Sequence, residues 1–160
     1  MTAPAMPASS AVVLRAARRE DCEAIWRWNF APDVRAWSRN AEPVALVDHT
    51  RWFARRLAEH DAPIWVIEEV SGDQRHGVGV VRLEPPRHGR ARISIALAAF
   101  ARGRGIGRAA IAEVCRQWGQ PIVAEVFSDH AASRACFEAC GFRAIAAERG
   151  LVTYQWDPEA

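Results

Sequence analysis

Between Arg102 and Arg108 the chain reads RGRGIGR, with Gly103, Gly105 and Gly107 interleaved among Arg102, Arg104, Ile106 and Arg108. Glycine lets a backbone approach a ligand closely, and amides flanked by guanidinium groups suit an anion, phosphate above all. Two acids stand out as candidate general bases: Glu125 inside the apolar run PIVAEVF, and Glu84 at the end of VVRLE. His49 is a third candidate, for substrate contact or proton relay, with a plain helix-terminal histidine as the alternative. Cys22, Cys115, Cys136 and Cys140 have neither CxxC spacing nor a finger arrangement with histidine. They read as reduced core thiols, so no metal is expected.

The elements that must position these groups follow from hydrophobic period and turn residues. AVVLRAA (11–17) reads as a strand, and Glu20, Asp21 and Glu23 place acid at the start of a helix carrying Ile25, Trp26 and Trp28. APDVRAWSRNAEPV reads as a loop or short helical turn. Asp48 is expected to cap a second helix, HTRWFARRLAEH, with Trp52, Phe53 and Leu57 on one side. APIWVIEEV, HGVGVVRLE and ARISIALAA then form three strands joined by short turns, an antiparallel meander. A helix over 105–118, a strand over 121–127, a helix over 130–140 stopped by Gly141, and a final hairpin complete the order. There is no internal repeat and no second domain.

The glycine-rich stretch therefore sits between the last strand of a meander and a helix start, where backbone amides lack partners and the helix dipole adds positive potential. A P-loop requires GxxxxGK[ST], and the chain contains no lysine. A dinucleotide fingerprint is formally present as Gly105-x-Gly107-x-x-Ala110, with Glu125 twenty residues after Gly105. It follows the wrong strand, however, and only about one strand–helix unit remains after it, so half a dinucleotide site is missing.

Arg102-Gly103-Arg104-Gly105-Ile106-Gly107 matches the pattern [Q/R]xxGx[G/A] and resembles the pyrophosphate-binding motif of the GCN5-related N-acetyltransferases (GNAT). A second segment, HAASRACFEACGF, resembles that family's NxxSxxxYxxxGF: His130 stands in the asparagine position, Ser133 and Gly141-Phe142 match, and Phe137 replaces the tyrosine. With the element order, the resemblance covers residues 12 to 156. It implies an α/β (α+β) fold: a mixed, mostly antiparallel sheet of about six to seven strands flanked by about four helices, with splayed central parallel strands.

The resemblance further implies acetyl-CoA as co-substrate. Its pyrophosphate would lie on residues 102–108. Its pantetheine arm would lie along the backbone of Ile95, Ala96 and Leu97 and near His130, Ser133 and Phe137. The enzyme would then move an acetyl group directly to a primary amine, with an amide near Leu97 polarising the thioester oxygen. Phe137 cannot act as the acid that the family's tyrosine supplies; a non-catalytic acyl-CoA sensor is therefore the reading from another class.

The acceptor end should come from the first two helices, which with their loop carry Trp26, Trp28, Trp37 and Trp52, aromatic faces suited to sugars and nucleobases. Trp28-Asn29, Val34-Arg35, Ser38, His49 and Trp52-Phe53 also resemble the subgroup acting on nucleotide-linked 4-amino sugars. Between Trp26 and Trp52 arginines outnumber acids, which favours an anionic acceptor over a polyamine. Protein N-terminal amines and antibiotics remain rival acceptors. At 160 residues the chain is one domain from residue 11 onward, preceded by an Ala/Pro-rich tail over 1–10 expected to be disordered. That tail resembles neither signal peptide nor anchor, so a cytoplasmic protein with no membrane partner is expected. The net charge of +2 is too small to favour nucleic acid. Oligomeric state is open, a homodimer included.

Overall fold

The computed structural model describes residues 11–38 and 42–159. The tail over 1–10 lies outside the described residues. Seven strands among the described residues form one sheet in the order β1-β2-β3-β4-β5-β7-β6: β1 Ala11–Ala16, β2 Ile64–Ser71, β3 Gln74–Leu83, β4 Ala91–Leu97, β5 Ile122–Phe127, β6 Arg143–Glu148 and β7 Leu151–Trp156. All pairings are antiparallel except β4 with β5. The helices are α1 Cys22–Asn29, the single turn α2 Pro32–Arg35, α3 Leu46–Leu57, α4 Ile106–Trp118 and α5 Ala131–Ala139. None of them is long and apolar enough to cross a membrane.

Two apolar layers hold the sheet. On one face α4 and α5 bury Ile106, Ile111, Val114 and Phe137 against Ile67, Val81, Ile93, Ile122 and Tyr154. On the other, Ile25 of α1 and Phe53 of α3 pack on Ile64, Val66, Val80 and Ala96. Strand alternation follows: Ile93 faces α4, whereas Arg92, Ser94 and Ala96 face α1 and α3.

The second helix differs from its expected start. It opens at Leu46 with Ala45 as N-cap, so Asp48 lies within the first turn and caps nothing with its side chain. Its acid still complements the positive helix end. The expected stop at Gly141 is present, and His130 supplies an N-cap not anticipated from the sequence. Gly141 takes φ 89° after α5, and the Nδ1 of His130 accepts the Ser133 N–H at 3.3 Å.

β4 and β5 pair only at Ala91↔Ile122 and Arg92↔Val123. Beyond that point the two central strands diverge. The Ala98 N–H reaches back to Val78 on β3, and Glu84 N–H to the Arg92 carbonyl. By alternation, the N–H and C=O groups of Ile93, Ile95 and Leu97 point into the gap and away from β3. The Ile93 N–H serves the Arg92↔Val123 pairing and the Leu97 carbonyl accepts from Arg102, which leaves the groups of Ile95 and the Leu97 N–H as a template for an added strand.

Candidate active site

The gap opens into a cavity of about 1190 Å³ that runs from the glycine loop, between β4 and β5, to α1, α2 and α3. Its loop end is built by backbone conformation. Gly103 and Gly105 have φ 72° and 80°, a left-handed region that costs other residues strain. Gly105 is the N-cap of α4 and offers no side chain to its amides. The first helical bond runs from Ala109 N–H to the Gly105 carbonyl at 3.1 Å. The N–H groups of Ile106, Gly107 and Arg108 have no backbone acceptor among the described residues. A built Cβ at Gly103 or Gly105 would meet nothing within 4 Å, so the space over the loop is open to a ligand. These donors and this room fit a pyrophosphate.

The three loop arginines divide. Arg102 is bonded to Asp33 of α2 and donates to the Leu97 carbonyl at 3.0 Å. Arg104 is bonded to Glu69 of β2 and lies outside the cavity wall. Arg108 lines the cavity and has no acid partner among the described residues. Of the three, Arg108 is therefore the guanidinium most available to an incoming anion.

The middle of the cavity is walled by Ile95, Ala96 and Leu97 on one side and by His130, Ser133, Cys136 and Phe137 on the other. Gly107 lets these walls approach, since a Cβ there would lie 3.5 Å from Leu97 and 3.7 Å from Cys136. Phe137 is 4% exposed, edge-on to Phe142 at 5.0 Å and stacked on Tyr154 at 6.5 Å. Its ring is a packing element that borders the cavity. Burial pushes the Cys136 thiol up to about 11, so it stays protonated and non-nucleophilic at neutral pH. His130 is kept neutral chiefly by burial, and the ring of Trp37 lies 4.4 Å from it.

At the far end the two candidate bases separate. Glu125 lines the cavity on the α1/α3 face, with Arg92 Nη1 at 3.5 Å from its carboxylate. Glu84 does not line the cavity: it accepts from Arg82 Nε at 3.1 Å and is bonded to Arg56. Burial pushes its carboxyl up, but Arg82 and Arg56 outweigh that and hold it below its ordinary value. A carboxylate clasped by two guanidinium groups is a weak base, which removes Glu84 from the candidates. His49 borders the cavity yet is 2% exposed, ringed by Phe30, Trp52 and Phe53. Its Nε2 lies 3.1 Å from the Cys22 carbonyl, which can only accept, so Nε2 carries the proton. Burial foremost lowers its pKa. His49 is thus a neutral ring whose second nitrogen is an acceptor.

Of the four tryptophans expected at the acceptor end, only Trp37 and Trp52 reach the cavity. Trp26 donates to the Val44 carbonyl at 2.8 Å and Trp28 packs on the inner core. Asn29, Val34, Arg35 and Ser38 also line this end, as the sequence pattern suggested, whereas Phe53 is core. The sequence reading missed Arg82, Ser94 and Arg92. Strand alternation puts them on one face, but nothing local says that this face looks toward α3.

An open mixed sheet splayed between two central parallel strands, with a glycine loop feeding the following helix, defines the GNAT architecture. A family model described as "Acetyltransferase (GNAT) domain" matches residues 11–143. The chain belongs to the GNAT acetyltransferase family and is a GNAT-type N-acetyltransferase. A crystal structure of a domain from Methanocaldococcus jannaschii is 21% identical, with a TM-score of 0.81, covering 92% of this chain and 99% of that one. Spermidine N-acetyltransferase from Vibrio cholerae, solved with CoA and spermine, is 19% identical with a TM-score of 0.78, over 90% of this chain and 92% of that one. The microcin C7 self-immunity acetyltransferase, solved with acetyl-CoA and AMP, is 19% identical with a TM-score of 0.73, over 91% and 92%. No curated protein sequence matches the chain.

Proposed function

We propose that the chain transfers the acetyl group of acetyl-CoA directly to a primary amine of a small molecule. The observation that carries this reading is the gap between β4 and β5. It joins the amides of the glycine loop at one end to Glu125 at the other, and its wall offers the backbone groups of Ile95 and the N–H of Leu97, which face the gap beyond the last β4–β5 pair. Structures of the same fold that hold CoA or acetyl-CoA support the choice of co-substrate.

The loop amides of residues 106–108 and Arg108 would bind the pyrophosphate. Backbone groups of Ile95 and Leu97 would pair with the pantetheine amides, placing the thioester beside the Leu97 N–H. Hydrogen bonding there draws electron density onto the carbonyl oxygen. The amine attacks only when unprotonated, and Glu125, directly or through a water, takes its proton. The N–C bond forms, the C–S bond breaks, and the electron pair leaves on sulfur. A thiol has a pKa of only about 8.5, so the thiolate departs tolerably well without the phenolic acid that Phe137 replaces.

The finer reading of the acceptor is a nucleotide-linked amino sugar. It is supported by the aromatic faces of Trp37 and Trp52 and by Asn29, Ser38 and Arg35 along the same wall. Phe137 favours a second reading, an acyl-CoA sensor without turnover. Incubating the protein with acetyl-CoA and an amine panel that includes UDP-linked amino sugars, while following free thiol, separates the two. Amine-dependent thiol release is expected. Tight acetyl-CoA binding with no release across the panel would leave the sensor.

A further inference from the structure

Arg82 of β3 and Arg92 of β4 stand on the sheet face beneath α3. Arg82 is opposite Ser94 in the strand register, Arg92 is two residues before Ser94, and both line the cavity. Arg82 is spoken for only along one edge. Its Nε donates to Glu84, and its guanidinium lies over the Trp52 ring, 5.2 Å from the centroid. Its two terminal nitrogens have no acceptor among the described residues, although the side chain is only 23% exposed. Arg56 lies over the same Trp52 ring at 5.5 Å and shares Glu84. Burial works against the Arg82 charge, Glu84 supports it, and Arg56 and Arg92 oppose it. A guanidinium cannot deprotonate to escape this position. It is a largely desolvated cation short of acceptors, set over the Trp52 ring in the cavity wall.

The acids nearby do not make up the deficit. Glu84 is already divided between Arg56 and Arg82. Glu125 sits with Arg92. Asp33 is held by Arg102. Asp48, exposed at the first turn of α3, lines the same cavity but makes no ion pair with Arg82 or Arg92 among the described residues, and is a single carboxylate against two guanidinium groups. A polycation entering here would meet Arg82 and Arg92 head-on, while an oxyanion would find a planar pair of donors resting on an indole.

We propose that Arg82, assisted by Arg92, is the specificity determinant of the acceptor site, and that the acceptor is an amine bearing its own oxyanion, a carboxylate or a phosphate. This rests on the acetyl-transfer reading and adds the anionic group that the acceptor must carry. The oxyanion bridges the terminal nitrogens of Arg82 and turns the amine toward Glu125, which shares that sheet face. Trp52 holds the guanidinium plane in place, so the arrangement exists before the acceptor arrives.

The test uses matched amines: an amino acid and its decarboxylated amine, an aminoalkyl phosphate and its alcohol, a UDP-linked amino sugar and the free amino sugar, and spermidine. Each is followed by thiol release with acetyl-CoA, and by calorimetric titration into the CoA-loaded protein. The anionic member of at least one pair is expected to bind and react better by about ten- to hundredfold, the value of one or two charge-assisted hydrogen bonds. Which pair shows it tells carboxylate from phosphate. Arg82→Gln is expected to erase that preference, mainly through KM, and Arg82→Lys to restore part of it without the planar fork. Spermidine or the uncharged amines binding and reacting as well as their anionic partners would overturn the inference and leave acetyl transfer standing. Anionic amines that bind selectively without releasing thiol would do the reverse. No selective binding of any anionic member overturns the inference even if Arg82→Gln fails to fold, because the wild-type panel decides it.

Discussion

Arg92 and Glu125 meet at 3.5 Å where the pairing of β4 and β5 ends: Arg92 is the last β4 residue paired to β5, and Glu125 lies two residues past its partner Val123. The divergence of the two strands is what brings this carboxylate to the cavity. Glu125→Gln keeps the shape and removes the proton acceptor. Turnover is expected to fall by about 10²–10⁴-fold, most severely at low pH, with acetyl-CoA affinity retained. An unchanged pH–rate profile in the variant would move proton removal to water or to His49.

Gly107 separates fold from ligand at the other end. Its φ is not left-handed, and a single Cβ would make only ordinary contacts with Leu97 and Cys136. Gly107→Val should therefore fold, yet its branched methyls would occupy the space where those two walls border the cavity. Acetyl-CoA affinity is expected to drop at least about tenfold, or 1.4 kcal/mol. Calorimetry on a folded variant that binds acetyl-CoA at wild-type strength would contradict the placement of the arm. Gly105→Ala fails for a different reason, because φ 80° costs an L side chain roughly 1–2 kcal/mol.

His49 should make the fold acid-sensitive. Burial first, opposed by the bond to the Cys22 carbonyl and reinforced by Arg82, lowers its pKa from the ordinary 6.5. Below that ordinary value the unfolded chain takes up a proton that the folded chain resists, so stability falls as pH drops from about 6.5 toward the folded value. Melting temperature should decline over that range. His49→Gln keeps a donor for the carbonyl and cannot titrate, so its decline should be shallower, with the contribution of His130, whose pKa burial also lowers, remaining. Identical slopes in the two proteins would show that His49 charges without cost inside the fold.

Phe137→Tyr asks whether an acid is missing. The ring is 4% exposed and wedged between Phe142 and Tyr154. An added hydroxyl without a partner is expected to destabilise the protein by roughly 1–3 kcal/mol. Turnover should rise less than about tenfold, because amine attack limits transfer and thiolate departure does not. Thermal melts beside steady-state kinetics measure both. A gain of a hundredfold would mean that the wild-type chain lacks a step it needs, and would bring the sensor reading forward.

Local periodicity and turn chemistry are carried by neighbours in the chain, which is why the strands, the long helices, the Gly105 start of α4 and the Gly141 stop could be read before folding. The same holds for the glycine loop, whose open amides need only the backbone of residues 103–108. Partnerships between distant residues could not be read. Arg102 meets Asp33 and Arg104 meets Glu69, so two of three apparently equivalent arginines are already committed and Arg108 remains. Glu84 and Glu125 both end or interrupt apolar strands in the sequence. Sheet order puts one between Arg56 and Arg82 and the other at the mouth of the gap. Asp48 reads as a cap in the sequence, yet α3 begins at Leu46 with Ala45 as N-cap, and Phe53 packs into the core. Charge pairing and burial depend on which strand lies beside which and on which face a helix covers. Those are decided by the non-local closure of the sheet, and side-chain type along the chain does not encode them.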